Sequence, residues 1–65
     1  MKEVKVTKFV SDDRTKTAEV ILIDGIPSIR MYEGDDPVGQ EDFPDNTLQY
    51  AADAAENYVL GIKKP

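Results

Sequence analysis

The side chains in this 65-residue chain that could do chemistry are nearly all carboxylates. Six of them, Glu33, Asp35, Asp36, Glu41, Asp42 and Asp45, fall in one stretch that contains no Lys or Arg. Carboxylate pairs act as general acid and base only where a pocket drives their pKa values apart. A calcium loop needs oxygens at alternating positions around a sharp glycine turn. The pairs Asp12-Asp13 and Asp35-Asp36 are adjacent, so in an extended chain they point apart and miss that spacing. Histidine is absent, which removes the commonest general base and metal ligand. Ser11 and Ser28 therefore have no imidazole to activate them. Cysteine is absent too, which excludes disulfides and thiolate metal sites. The reading is a protein that is not an enzyme, with no catalytic residues, no metal site and no cofactor.

What the carboxylates can do is bind. The stretch from Glu33 to Asp45 carries −6. Thirteen acids less these six leave seven against eight bases, so the rest of the chain is close to neutral although the net charge is −5. Such a surface repels nucleic-acid phosphates and attracts a protein partner with a basic surface. Lys2, Lys5, Lys8, Arg14 and Lys16 form a modest basic end, but no aromatic stacking platform accompanies them, so direct nucleic-acid binding is not expected. The competing reading is a solvated connection whose charge serves solubility.

The elements that must position this stretch come from periodicity. Asn46 to Ile62 has the one clear helical repeat. Leu48, Ala51, Ala52, Ala55, Tyr58, Val59 and Ile62 form one face, and Gln49, Asp53, Glu56 and Asn57 the other. Asn46 is the expected N-cap with Gln49 completing a capping box, and Gly61 is the expected left-handed terminator. From Thr47 to Leu60 the helix would be roughly 21 Å long. Three alanines on the stripe imply close approach to a sheet.

Lys2 to Val10 reads as a strand with Val4, Val6 and Val10 on one face. Phe9 has the opposite parity, which marks either a bulge or an apolar residue on the second face. Thr17 to Asp24 is the strongest strand. Asp24-Gly25 between Ile23 and Ile26 is a type I′ hairpin signal. The turn sets a register of Ile23 with Ile26, Leu22 with Pro27, Val20 with Ile29 and Ala18 with Met31. On the reverse face it sets Glu19 opposite Arg30 and Thr17 opposite Tyr32. Glu33 to Pro37 is a second turn, and Val38 to Phe43 reads as a short polar fourth strand. The expectation is one α+β domain, residues 1–65: an antiparallel β-meander of three to four strands with one C-terminal helix across one face. That helix should pack on Val4, Val6, Val20, Leu22, Ile29 and Met31.

If one face is roofed, Ile21, Ile23, Ile26 and Tyr32 lie on the other. An apolar patch there would be an interaction surface, and a homodimer through it would enlarge a core that is small for a 65-residue chain. No run is long enough to span a bilayer and the N-terminus lacks an apolar leader, so no membrane partner is expected and the location reads as cytoplasmic.

The helix residues Leu48-Gln49-Tyr50-Ala51, Asp53-Ala54-Ala55-Glu56-Asn57-Tyr58 and Val59-Leu60-Gly61-Ile62 resemble those of small uncharacterised proteins of tailed bacteriophages. The resemblance covers about a quarter of the chain. It implies a hairpin-plus-helix fold and a host-cytoplasm setting, in which small acidic proteins act as inhibitors of host enzymes or defence systems, some as DNA mimics. The expected function is a non-catalytic protein-binding module working through the acidic stretch. The alternative is a structural or accessory protein that acts as a homo-oligomer through Ile21, Ile23 and Ile26.

Overall fold

The computed structural model describes residues 2–64; Met1 and Pro65, the ends of the expected domain, lie outside them. Four antiparallel strands in the order β1-β2-β3-β4 form one sheet: β1 Glu3–Val10, β2 Lys16–Ile23, β3 Ile26–Glu33 and β4 Asp36–Asp42. The helix α1, Leu48–Val59, follows. It lies over β2 and β3, reaches β1 and stays clear of β4.

The β2–β3 hairpin follows from its turn. Asp24 and Gly25 both have positive φ, 51° and 83°, which is what a type I′ turn requires. Ile23 pairs with Ile26, Val20 with Ile29, Ala18 with Met31 and Glu19 with Arg30, as expected. The Asp24 N–H donates to the Lys2 carbonyl at 2.8 Å, and the Asp24 carboxylate accepts from the Lys2 N–H at 2.7 Å. The hairpin tip is thereby tied to the start of β1.

The fourth strand exists and starts earlier than expected, at Asp36. Gly34 has φ 63° while Asp35 keeps a negative φ, so the β3–β4 link is a two-residue turn with glycine at its first position. That turn places Glu33 opposite Asp36 and brings even the sequence DPVGQED into register with β3.

The core holds Ala18, Val20, Ile29, Met31, Phe43, Ala51, Ala54, Ala55 and Tyr58. Burial of the large side chains among them is worth about 1.5–3 kcal/mol each before conformational entropy is subtracted. Val4 and Val6, expected in that core, are instead 42 % and 43 % exposed. Val4 keeps the helix side, opposite Leu22, on the border strand of the sheet, whereas Val6 is an extra residue in the ladder: Lys5 pairs with Ile21 and Thr7 with Val20. The bulge reverses the parity of the strand, so Phe9, opposite Ala18, turns to the helix side and packs on the core. Leu22 is half-buried.

The helix is capped by Thr47, not Asn46. Thr47 is extended, and its Oγ1 accepts from the Tyr50 N–H at 3.2 Å. One residue earlier, the Asn46 N–H closes a turn onto the Phe43 carbonyl at 3.2 Å. At the other end Gly61, φ 84°, donates to the Tyr58 carbonyl and Ile62 donates to that of Asn57, the Schellman pattern. The buried face is Ala51, Ala54, Ala55 and Tyr58. It is rotated from the expected stripe, leaving Leu48 37 % exposed, and Ile62, past the end of the helix, is 71 % exposed.

Candidate functional site

The six carboxylates of the acidic stretch lie on the turn, strand and loop that make up one border of the sheet. Asp35 sits in the β3–β4 turn, Asp36, Glu41 and Asp42 in β4, and Asp45 in the loop before α1. Glu33 ends β3 opposite both Lys16 and Asp36. The register separates the strand's acids by face. Glu41 pairs with the core residue Ile29 and so lies on the helix side, whereas Asp42 pairs with Ser28 on the reverse side. The carboxylates therefore line an edge and do not cover a face.

Two of the six find positive charge that the local sequence does not contain. The chain returns past the helix end, and Lys63 Nζ meets Glu41 Oε1 at 2.6 Å. Glu33 borders an open hollow of about 230 Å³ with Lys16, Tyr58, Lys63 and Lys64. The other four, Asp35, Asp36, Asp42 and Asp45, are exposed, and none makes an ion pair among the described residues. Asp42 accepts one hydrogen bond, from the Gln40 amide at 3.2 Å. β4 carries its own obstacles to strand pairing: Pro37 lacks an N–H, Gly39 lacks a side chain, and the extra residue Val38 breaks the ladder.

The reverse face differs from the expected apolar patch. Ile21 is completely buried, Ile23 and Tyr32 are half-buried, and of the four only Ile26 is exposed. The roof over Ile21 is polar. Arg30 sits opposite Glu19, and Glu3 sits opposite Ile23. The line joining Arg30 to Glu3 crosses β2 at Ile21. The guanidinium donates to both Glu3 oxygens, at 2.9 and 3.3 Å, and through Nε to Gln40 at 3.3 Å. Its stem covers apolar surface while its head stays charged. Arg30 holds the Glu3 carboxyl below its ordinary value, chiefly through this hydrogen bond. Glu19, expected to pair with Arg30, instead takes Lys5 at 3.4 Å and the Tyr32 hydroxyl at 2.9 Å. The sequence signal for this roof was the set of Glu3, Lys5, Glu19 and Arg30 on one parity; what it lacked was the diagonal reach of arginine.

At the far end of the sheet the β1–β2 turn is organised by Asp13. Its Oδ1 accepts from the Thr15 N–H at 3.1 Å, and from the Ser11 and Thr15 hydroxyls at 2.8 Å each. These bonds, the backbone one foremost, lower its pKa to about 2. This turn and the helix end enclose an open hollow of about 340 Å³, bordered by Val10, Lys16, Val59 and Leu60. Tyr58 anchors the helix end. It is 1 % exposed, and its hydroxyl donates to the Tyr32 carbonyl at 2.8 Å. Burial raises its pKa. Phe43 and Tyr50 meet edge to face at 5.2 Å and close the opposite end.

Among the described residues no helix is long and apolar enough to cross a membrane. Comparison with protein-family models, with curated proteins and with solved structures finds no match to this chain.

Proposed function

We propose that the protein is a non-catalytic binding module whose acidic β4 edge seats in a basic cleft of a partner protein. The observation that carries this reading is the set of four exposed carboxylates without ion pairs among the described residues, Asp35, Asp36, Asp42 and Asp45, along one border of the sheet. Because charge projects to both sides of β4, a concave partner that straddles the edge meets more of it than a flat one does. A basic cleft is also what a nucleic-acid-binding protein presents to phosphates. The module would then act as an inhibitor by occupying that cleft. In the bacteriophage setting that the helix resemblance suggests, the target is a host nucleic-acid-binding or defence protein.

Capture from host lysate at stepped salt tests this. Retention should fall steeply as salt shortens the screening length from about 10 Å at 0.1 M toward about 3 Å at 1 M. It should also fall when Asp35, Asp36, Asp42 and Asp45 are replaced together by Asn. These four are exposed, so the variant should melt like the wild type. Retention that ignores both salt and substitution overturns the reading.

A further inference from the structure

We propose that the opposite edge of the sheet is a second docking surface, one that takes a short extended segment of another chain in which apolar and acidic side chains alternate. β1 is the other border strand and leaves its outer backbone groups free to template a strand. Its two sides differ. Val4, Thr7 and Phe9 lie on the helix side, opposite Leu22, Val20 and Ala18. Lys5 and Lys8 lie on the reverse side, opposite Ile21 and Glu19.

The helix overhangs this edge with an apolar flank. Leu48, Ala52 and Val59 fall within about 40° of one another around the axis. Val59 shares the larger hollow with Val10, so this flank faces β1 and not β4. The strip between flank and strand is unfinished core: Leu48 is 37 % exposed and Val4 42 %. The apolar side chains of an added strand would slide under α1 and complete it.

Charge selects the other half of the occupant. Lys8 makes no ion pair among the described residues, and the Lys5 side chain is 69 % exposed although it reaches Glu19. Side chains that alternate with the apolar ones would meet these two ammonium groups, so they should be acidic. A second copy of the chain fits badly. Its β1 would oppose lysines to lysines and one Val6 bulge to another. Its β4 offers acids but has Pro37 and Gly39 where apolar side chains are needed. The bulge at Val6 divides β1 into two short regular runs, Glu3 to Lys5 and Thr7 to Val10, so the segment is short.

The test is an NMR titration of the intact protein with a short capped peptide alternating Val and Glu, against a counterpart alternating Val and Lys. The expected result is saturable shifts at the amides of β1 on both sides of the bulge and at the methyls of Val4, Leu48 and Val59. Binding should be at least about tenfold weaker for the Val–Lys peptide and for the double variant Lys5→Glu, Lys8→Glu, because like charges replace opposite ones. Unchanged β3 and β4 signals show that the variant is folded. The proposal is overturned by equal binding of the two peptides, by shifts confined to β4 or the reverse face, or by no shifts. It is also overturned if light scattering shows a dimer that Val6→Asp dissolves, since the occupant is then a second copy.

Discussion

β1 and β4 each leave one row of backbone groups unpaired, and each carries one extra residue, Val6 in the first and Val38 in the second. Beyond that they diverge. β1 has the exposed Val4 on the helix side and lysines behind. β4 has proline, glycine and carboxylates, and the helix does not approach it. Edge strands invite unwanted pairing, and both bulges and charge discourage it. β4 combines a proline, a glycine, a bulge and acidic side chains, which discourage an added strand. β1 uses fewer, and keeps an apolar strip that a strand could cover. We propose that the two edges take different partners, β4 through its charge and β1 through an added strand.

The comparison presumes a rigid middle that holds the edges apart, and the largest expected effect comes from breaking that middle. A domain of this size is stable by on the order of 3–10 kcal/mol. Tyr58→Ala removes a fully buried ring and should cost about 3–5 kcal/mol, most of the total. Urea unfolding should show both edges melting together; a midpoint near that of the wild type means that the helix is not the clamp. Tyr58→Phe keeps the ring and strands the Tyr32 carbonyl, for about 1–2 kcal/mol.

Gly25→Ala comes next. A Cβ there meets no atom within 4 Å, so the cost is the left-handed backbone alone, about 1–2 kcal/mol. A neutral result would mean that the turn does not set the register. Arg30→Ala sharpens the comparison, because this side chain touches Glu3 of β1 and Gln40 of β4 together. It should cost roughly 1 kcal/mol by uncovering Ile21 and removing those bonds. Amide exchange should rise at both borders; a rise at one border alone denies that the bridge joins them.

The smallest effect separates the edges by pH. The Asp13 carboxyl belongs to the β1–β2 turn and is lowered from its ordinary 3.8 to about 2. A depressed folded pKa adds stability that is fully present above 3.8 and is lost as pH falls toward 2. Asp13→Asn should therefore melt below the wild type at pH 5, and the gap should close near pH 2. A gap that persists there assigns the effect to something other than this titration.

The meander, its central register and the single helix were legible in the chain because each is announced locally. Asp24-Gly25 fixes pairing by backbone conformation, and Ala51, Ala55 and Tyr58 repeat at helical spacing. What escaped depends on distant partners. The Val6 bulge brings Phe9 to the core in place of Val6, and the odd parity of Phe9 was its trace. Phe43 turns inward because its N–H is held by the Pro27 carbonyl at 2.8 Å, which no property of VGQEDF foretells. Ala54 reads as off-stripe until the sheet sets the helix rotation. Ile21 reads as exposed until Arg30 reaches over it. Of the acidic edge, the clustering was visible, but Lys63 beside Glu41 was not, since it arrives from the end of the chain.

The claim on which the functional account rests is that β4, rather than β1 or the helix, is the surface gripped by a basic partner. Hydrogen exchange measured on the captured complex tests it most directly. The account predicts new protection confined to Asp35, to Asp36–Asp42 and to the loop at Asp45, removed by high salt, with β1 exchanging as in the free protein. Protection centred on β1 or on the exposed side of α1, with β4 unchanged, would contradict it.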